Sequence, residues 1–396
     1  MADQARDVVI LSGVRTAIGT FGGALKDTPP SALGAACARE AMSRADISPD
    51  AIGHVVIGNI IHTEPRDMYI SRVVAVEAGV PAEAPALTVN RLCGSGLQAI
   101  VSAAQSIMLG DVDAALAGGA ESMSRAPHAQ LNSRSGTKMG DARMTDMMLG
   151  ALNDPFGHGH MGITAENVAE RYGLDRAEQD AFAVESHKRA TAAIKEGRFK
   201  DQILPIEVKV RRDTVMFDTD EHVRTEVSDA DMAKLKPAFK KDGTVTPGNA
   251  SGINDGAAAV VLMEAGKAER EGKKPLARIL GYAHAGVDPD YMGLGPIPAV
   301  RKLMERTGLS VDDFDVIESN EAFAAQACAV AKDLGFPAEK TNVNGGAIAL
   351  GHPIGATGAI LTVKTLYELE RSGGKIGLIT MCIGGGQGIA MAIEKL

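Results

Sequence analysis

Tryptophan is absent from this chain, and aromatic residues of all kinds make up only 4% of it. Binding nucleic acid by base stacking needs aromatic platforms, so that class of partner is disfavoured. Positive charge is also in deficit: 41 Lys and Arg face 50 Asp and Glu, a formal net charge of −9. Such a chain is not drawn to nucleic acid or anionic lipid. A phosphate-bearing ligand would need a local basic patch. No apolar run approaches the ~18 residues of a membrane-spanning helix. The four cysteines, Cys37, Cys93, Cys328 and Cys382, are too few for a disulfide framework. None forms a C-x-x-C pair and no Cys/His cluster has zinc spacing, so no metal is expected. They read as free thiols of a reducing compartment. The opening MADQARDVVIL has neither the basic nor the apolar segment of a secretory leader. The expected location is the cytoplasm.

What the chain has in quantity is glycine, 45 residues, within a hydrophobic fraction of 45%. Its 396 residues exceed what one core holds, so at least two subdomains are expected. The first stretch alternates strands (Val8–Leu11, 54–58, Leu87–Val89, Ala114–Ala117) with helices (31–45, near 69–79, and from Leu97 to Met108). That alternation predicts βαβ units and a mostly parallel sheet, with Gly118-Gly119 closing the last strand. From about 123 to 253 the pattern lapses into Pro, Gly, Met and a mixed charge run, with helical stretches at 166–196. This reads as an inserted loop domain.

The last third repeats the first. Ala38–Asn59 and Val300–Asn320 each read as helix, turn, two acids, then a strand ending at Asn. Thr88-Val89-Asn90 before Cys93 matches Asn342-Val343-Asn344 before His352. Ala114–Gly119 matches Gly377–Gly385 as strand plus glycine turn. Three matches in the same order indicate a duplicated α/β unit. The expected divisions are 1–122 with 254–274, an insert at 123–253, and 275–396.

Three residues stand where this duplication would bring chemistry together. Cys93, in N-R-L-C-G-S-G-L-Q, lies between a strand and a helix, where a helix N-terminus favours an anion and lowers a thiol pKa. His352, in G-H-P-I-G-A-T-G-A, is expected at a helix entry with Pro353 in the first helical position. An imidazole beside a thiol is what thiolate formation requires. Cys382, in M-C-I-G-G-G-Q-G, follows the apolar run Gly377–Thr380, beside glycines whose N–H groups could receive an oxyanion. Asn320, in S-N-E-A-F, ends a strand, where an amide can orient a water or a carbonyl. Taken singly, each of these is as readily a core or turn residue.

Taken together with G-N-A-S-G-I-N-D-G and G-G-A-I-A-L-G-H-P-I-G-A-T-G-A, these motifs resemble the thiolases over essentially the whole chain, in the family's order. The resemblance implies a duplicated five-layered α-β-α-β-α fold with an inserted loop domain. It implies acyl transfer between acyl-CoA thioesters with no permanent cofactor, coenzyme A entering only as substrate. Cys93 would carry the acyl group, His352 would take its proton, and Cys382 would exchange the α-proton. Asn320, through a water, and His352 would hold one thioester oxygen; the N–H groups of Cys93 and Gly384 would hold the other. CoA contacts would fall at Leu152, His160, Met161, Arg224, Ser251 and Phe323. His160-Met161-Gly162 resembles the short-chain biosynthetic type. T-E-P-R-D-M-Y and T-M-C-I-G-G-G-Q-G resemble β-ketothiolases of polyester-storing bacteria. A homotetramer, a dimer of dimers, is implied by the loop at 128–144. The sequence departs at Pro247, often Ala in the family, and at Ile360, often Arg. A ketoacyl synthase-type condensing enzyme and a non-catalytic acyl-CoA-binding protein are the alternatives.

Overall fold

The structure, a computed structural model, describes residues 6–210 and 212–396, so the first five residues of the leader-free reading lie outside it. The first half runs β1 (Val8–Thr16), α1 (Pro30–Arg44), β2 (His54–Gly58), α2 (Ile70–Glu77), β3 (Ala86–Val89), α3 (Ser95–Met108), β4 (Ala114–Ser122). The segment from 123 to 253 contains α4 (Met161–Tyr172), α5 (Arg176–Lys195) and a hairpin of Ile206–Val210 with Asp213–Phe217. After it come β5 (Asn254–Glu264), β6 (Ala277–Gly286), α6 (Pro296–Thr307), β7 (Val316–Ser319), α7 (Ala324–Leu334), α8 (Thr357–Ser372), β8 (Ile376–Ile383) and β9 (Gln387–Lys395).

The strands run in the order β7-β8-β9-β6-β1-β5-β4-β2-β3. The halves follow the same order, β1-β5-β4-β2-β3 and β6-β9-β8-β7, the second without a counterpart of β3, and meet at β1 and β6 through Val9↔Arg278 and Ile10↔Ala277. The outer pairs β2–β3, β2–β4 and β7–β8 are parallel, whereas β1–β5, β4–β5, β6–β9 and β8–β9 are antiparallel. The expected mostly parallel sheet is therefore mixed. In each half the last strand, β5 or β9, pairs antiparallel with both of its neighbours and so breaks the parallel pattern. Residues 342–344, read as the partner of β3, form no strand; only a bridge between Ile317 and Thr341 marks the place. Ile203 and Leu204, inside the insert, pair with the end of β1, so that segment does reach the sheet.

Side chains of a strand alternate between faces, and β1 shows what each face meets. Val9, Leu11 and Val14 pack on Leu33 and Ala41 of α1 and Val74 of α2. Val8 and Ile10 face the other way, into a core with Leu97 and Ile100 of α3, Ile360 and Val363 of α8, and Ile379 and Met381 of β8. The opposite face of the second sheet, Leu378, Ala390 and Ala392, packs on α6 and α7 through Val300, Leu303 and Val330. The result is five layers, with α3 and α8 sandwiched between two sheets. Both sheet faces are covered, which explains why β1 is apolar without a polar face.

The two central helices meet at glycines. A Cβ on Gly96 would lie 2.7 Å from the Ala359 nitrogen, and one on Gly358 would lie 2.7 Å from the Leu97 Cβ. Gly118 and Gly119, read as a closing turn, lie inside β4, which continues to Ser122. They are glycine because a Cβ on either would strike backbone, Ala258 O in one case and Gly355 O in the other.

Candidate active site

A cavity of about 700 Å³ opens at the junction of the two halves and the inserted segment, and Cys93, His352 and Cys382 all line it. The strand and helix ends that hold them are the duplicated pieces: β3 and α3 around Cys93, α8 after His352, β8 around Cys382.

Cys93 sits in a tight turn. Leu92 has φ of 42°, unusual for a branched residue. Its N–H donates to Asn90 Oδ1 at 3.0 Å, and Ser95 Oγ accepts the Arg91 N–H at 2.8 Å while donating to Leu92 O at 2.7 Å. Strain of this kind persists where the surroundings fix it, commonly at sites of function. The helix begins at Ser95, two residues past the sulfur. The expected lowering of the thiol pKa does not hold. Burial pushes the Cys93 thiol up to about 11, against the pull of the Gly384 N–H that donates to it.

His352 precedes α8 by five residues, so Pro353 does not occupy the first helical position. The ring is instead held by a turn in which the Ala356 and Thr357 N–H groups donate to Pro353 O at 2.9 and 3.0 Å. Its own N–H donates to Asn254 Oδ1 at 2.9 Å. Thr357 Oγ1 donates to Pro353 O at 2.9 Å and lies 2.7 Å from His352 Nδ1. With its one hydrogen committed, the hydroxyl must accept, so Nδ1 carries the proton and Nε2 keeps its lone pair. Nε2 is buried without a partner. Burial holds the imidazole down to about 4, so it is neutral at physiological pH.

Cys382 lies inside β8, opposite Gly388 of β9, rather than after the strand. Burial, and then the neighbouring Cys93, push its thiol well above the ordinary range. Gly384 follows at the strand end, where a Cβ would lie 2.9 Å from Leu92 Cδ1. Its N–H donates to the Cys93 sulfur. Asn320 differs from the others. Its N–H donates to Thr380 O at 3.0 Å, but its side chain lines a separate void of about 10 Å³ beside Thr357 rather than the main cavity. Neither its Oδ1 nor its Nδ2 has a partner.

All six expected CoA contacts, Leu152, His160, Met161, Arg224, Ser251 and Phe323, line the cavity. The insert is pinned so that they do. His160 caps α4 by accepting the Gly162 N–H at 3.0 Å, and Glu166 accepts the Thr244 and Val245 N–H groups at 2.9 Å. His187 Nδ1 accepts the Arg224 N–H at 3.1 Å. Arg15 binds Asp220 through two bonds of 2.7 and 2.9 Å, tying the rim to β1. Several wall residues escaped the sequence reading. Phe239 stacks on His160 at 4.7 Å and meets Phe323 edge-on at 6.2 Å. Phe21, His222 and Met292 also line the cavity, and Pro247 lies there too. No spacing signal marks them, because long-range folding brings them in.

Burial also depresses His187 and His284 to about 4. An unfolded chain takes up protons at these imidazoles near 6.5, the folded chain only near 4, so between these values the unfolded state holds more protons. Stability is expected to fall as pH drops through that window, read as a declining urea midpoint with unchanged slope. Replacing His187 by Gln should flatten the decline.

Comparison with known proteins fits this geometry. The model of the thiolase N-terminal domain matches residues 8–266, and that of the thiolase C-terminal domain matches residues 273–395. Beta-ketothiolase BktB of Cupriavidus necator is 64% identical over 394 residues, 99% of this chain and 100% of that protein. The crystal structure of the Bacillus anthracis acetyl-CoA acetyltransferase has a TM-score of 0.97 at 46% identity, covering 100% of both chains. Human mitochondrial 3-ketoacyl-CoA thiolase in complex with CoA has a TM-score of 0.96 at 44% identity, covering 99% of this chain and 98% of that one. With both thiolase domain models spanning nearly the whole chain and full-length relatives up to 64% identical, the chain belongs to the thiolase family.

Proposed function

We propose that the chain is an acetyl-CoA acetyltransferase, a β-ketothiolase that joins two acyl-CoA units or cleaves a short-chain 3-ketoacyl-CoA with CoA. One observation carries this: two thiols and one imidazole nitrogen with a free lone pair share a single cavity. In cleavage, the Cys93 sulfur attacks the keto carbon as His352 Nε2 takes its proton. The bond between the keto carbon and the α-carbon breaks. Cys382 gives its proton to the α-carbon, releasing acetyl-CoA and leaving the acyl group on Cys93. The thiol of CoA then takes that acyl group, its proton passing to the Cys382 sulfur, while His352 returns its proton to the departing Cys93 sulfur. Condensation is the reverse, with Cys382 removing the α-proton. A ketoacyl synthase has no use for the second thiol, and a mere binding protein has no use for any of the three.

The resting pair is neutral. With Cys93 near 11 and His352 near 4, moving the proton in the empty site would cost on the order of 10 kcal/mol. The thiolate therefore forms only as the sulfur attacks, when the N–H groups of Cys93 and Gly384 receive the developing oxyanion. Each such donor is worth about 3 kcal/mol. Asn320, in its adjoining void, would act on the other oxygen through a water.

CoA would lie against Leu152, His160, Met161, Arg224, Ser251 and Phe323. Arg224 supplies positive charge at a rim that also carries Glu221, and the stacked His160, Phe239 and Phe323 form an apolar side for pantetheine. Residues 1–122 with 254–274, 123–253 and 275–396 are read as the two α/β halves and the inserted domain. The relatively exposed Leu131, Met139 and Met144 support a homotetramer assembled through the 128–144 loop. All four cysteines are free, and no helix among the described residues is long and apolar enough to cross a membrane, which supports a cytoplasmic setting.

Cys382→Ala tests the division of labour. The variant is expected to form acyl-enzyme from acetyl-CoA while its thiolysis falls about 100- to 1,000-fold and exchange of the acetyl α-protons with deuterated solvent ceases. Normal exchange would remove Cys382 from its role.

A further inference from the structure

We propose that Glu121 is a positioning residue that sets the placement of Cys93 relative to His352 by clamping the two half-molecules together. Its side chain is fully buried near the end of β4. Four N–H groups converge on it, from both halves. Oε1 accepts Ile61 N–H at 3.1 Å and Asn59 Nδ2–H at 3.2 Å; Oε2 accepts Ile60 N–H at 3.2 Å and Gly355 N–H at 2.9 Å.

Each set of donors continues to one reacting group. On the first side, the Asn59 N–H donates to Val89 O at 3.2 Å, at the end of the strand that leads into the Cys93 turn. Ile60 and Ile61 pack in one apolar cluster with Cys93 and Ile354. Gly58 abuts the turn itself, since a Cβ there would lie 2.6 Å from the Ser95 carbonyl carbon. On the second side, Gly355 lies three residues past His352, inside the turn closed on Pro353 O that also holds Thr357. A Cβ on Gly355 would lie 2.6 Å from Glu121 Oε2, so the loop cannot move inward. The carboxylate is thus bonded both to the residues behind the sulfur and to the loop behind the imidazole.

The shape of a carboxylate is what the place requires. All four groups bonded to it are donors. An amide of equal size would turn its NH2 toward N–H groups and lose one side of the clamp. Glu121 also acts electrostatically on Cys93, its charge opposing the thiolate. Removing the clamp should therefore move two measurements in opposite directions, which a loss of mere packing would not do.

This inference rests on the roles given above to Cys93 and His352, and the test separates them. At pH 9, where the native carboxyl is ionised, Glu121→Gln is expected to lower kcat for acetoacetyl-CoA thiolysis at least about tenfold with KM for CoA changed less than about twofold, because misplacement by a fraction of an ångström suffices. At pH 9, above the value of about 8 to which burial pushes its carboxyl, iodoacetamide should alkylate Cys93 about two- to fivefold faster than in the native enzyme. Should that variant fail to fold, Asn59→Ser removes one donor only and is expected to lower kcat about threefold at constant KM. A Glu121→Gln enzyme with native kcat, or one whose kcat and Cys93 alkylation fall together, overturns the clamp. Native enzyme in which iodoacetamide ignores Cys93 would instead overturn the nucleophile assignment on which it stands.

Discussion

Cys93→Ala is expected to abolish thiolysis, with a loss of at least about 10⁴-fold, and to leave no acid-stable acyl adduct after quenching with acetyl-CoA. The size follows from the absence of a substitute. Cys382 is the other thiol among the residues lining the cavity, but it is held inside β8 with its thiol pushed far above the ordinary range. The neutral His352 can accept a proton yet has no neighbouring hydroxyl to activate in place of the thiol, since Thr357 Oγ1 is already committed to Pro353 O. Binding should survive: the six residues assigned to CoA belong to other parts of the wall, so the dissociation constant for CoA is expected within about twofold of native. Mass spectrometry of the quenched protein decides the matter. An acetyl group found on Cys382 in this variant would exchange the two roles.

His352→Asn is expected to lower turnover about 10³- to 10⁴-fold, the upper range for removing a general base. Asparagine keeps the backbone N–H that donates to Asn254 and can still donate to Thr357, so the loop and the fold should persist. What disappears is the Nε2 lone pair. A thousandfold loss corresponds to about 4 kcal/mol of barrier. The oxyanion donors stay in place in the variant. In the native enzyme the acid limb of kcat/KM should follow an imidazole depressed toward 4, retaining activity below pH 6. The variant should lack that limb. A loss smaller than tenfold at pH 7 would assign the proton to another acceptor.

The reacting residues were legible in the sequence because each lies in a long motif whose glycines and small residues are demanded by close backbone approach. The doubling was legible because helix and strand patterns repeat in order. Other features were not. Gly118-Gly119 reads as a turn unless the carbonyls of Ala258 and Gly355 are known to press on them. The lowered pKa expected for Cys93 rested on a helix dipole; burial outweighs it, and burial depends on the other half of the molecule. Asn320 was expected among the reacting groups, whereas its amide occupies an adjoining void, a distinction of a few ångströms that no motif encodes. Phe239 and Glu121 act through partners far away in the chain, His160 for the first and Gly355 for the second, and only the fold names those partners.

The middle layer has a consequence for how such a molecule diversifies. α3 and α8 are gripped by a sheet on each side, so the reacting groups at their ends cannot be loosened without parting the whole body. The rim is built differently, from loops tied down at a few points such as Asp220, Glu166 and His187. Substitutions at that periphery can reshape which acyl chains are admitted while the reaction centre stays put. Selectivity and reactivity are thereby open to separate selection within one chain.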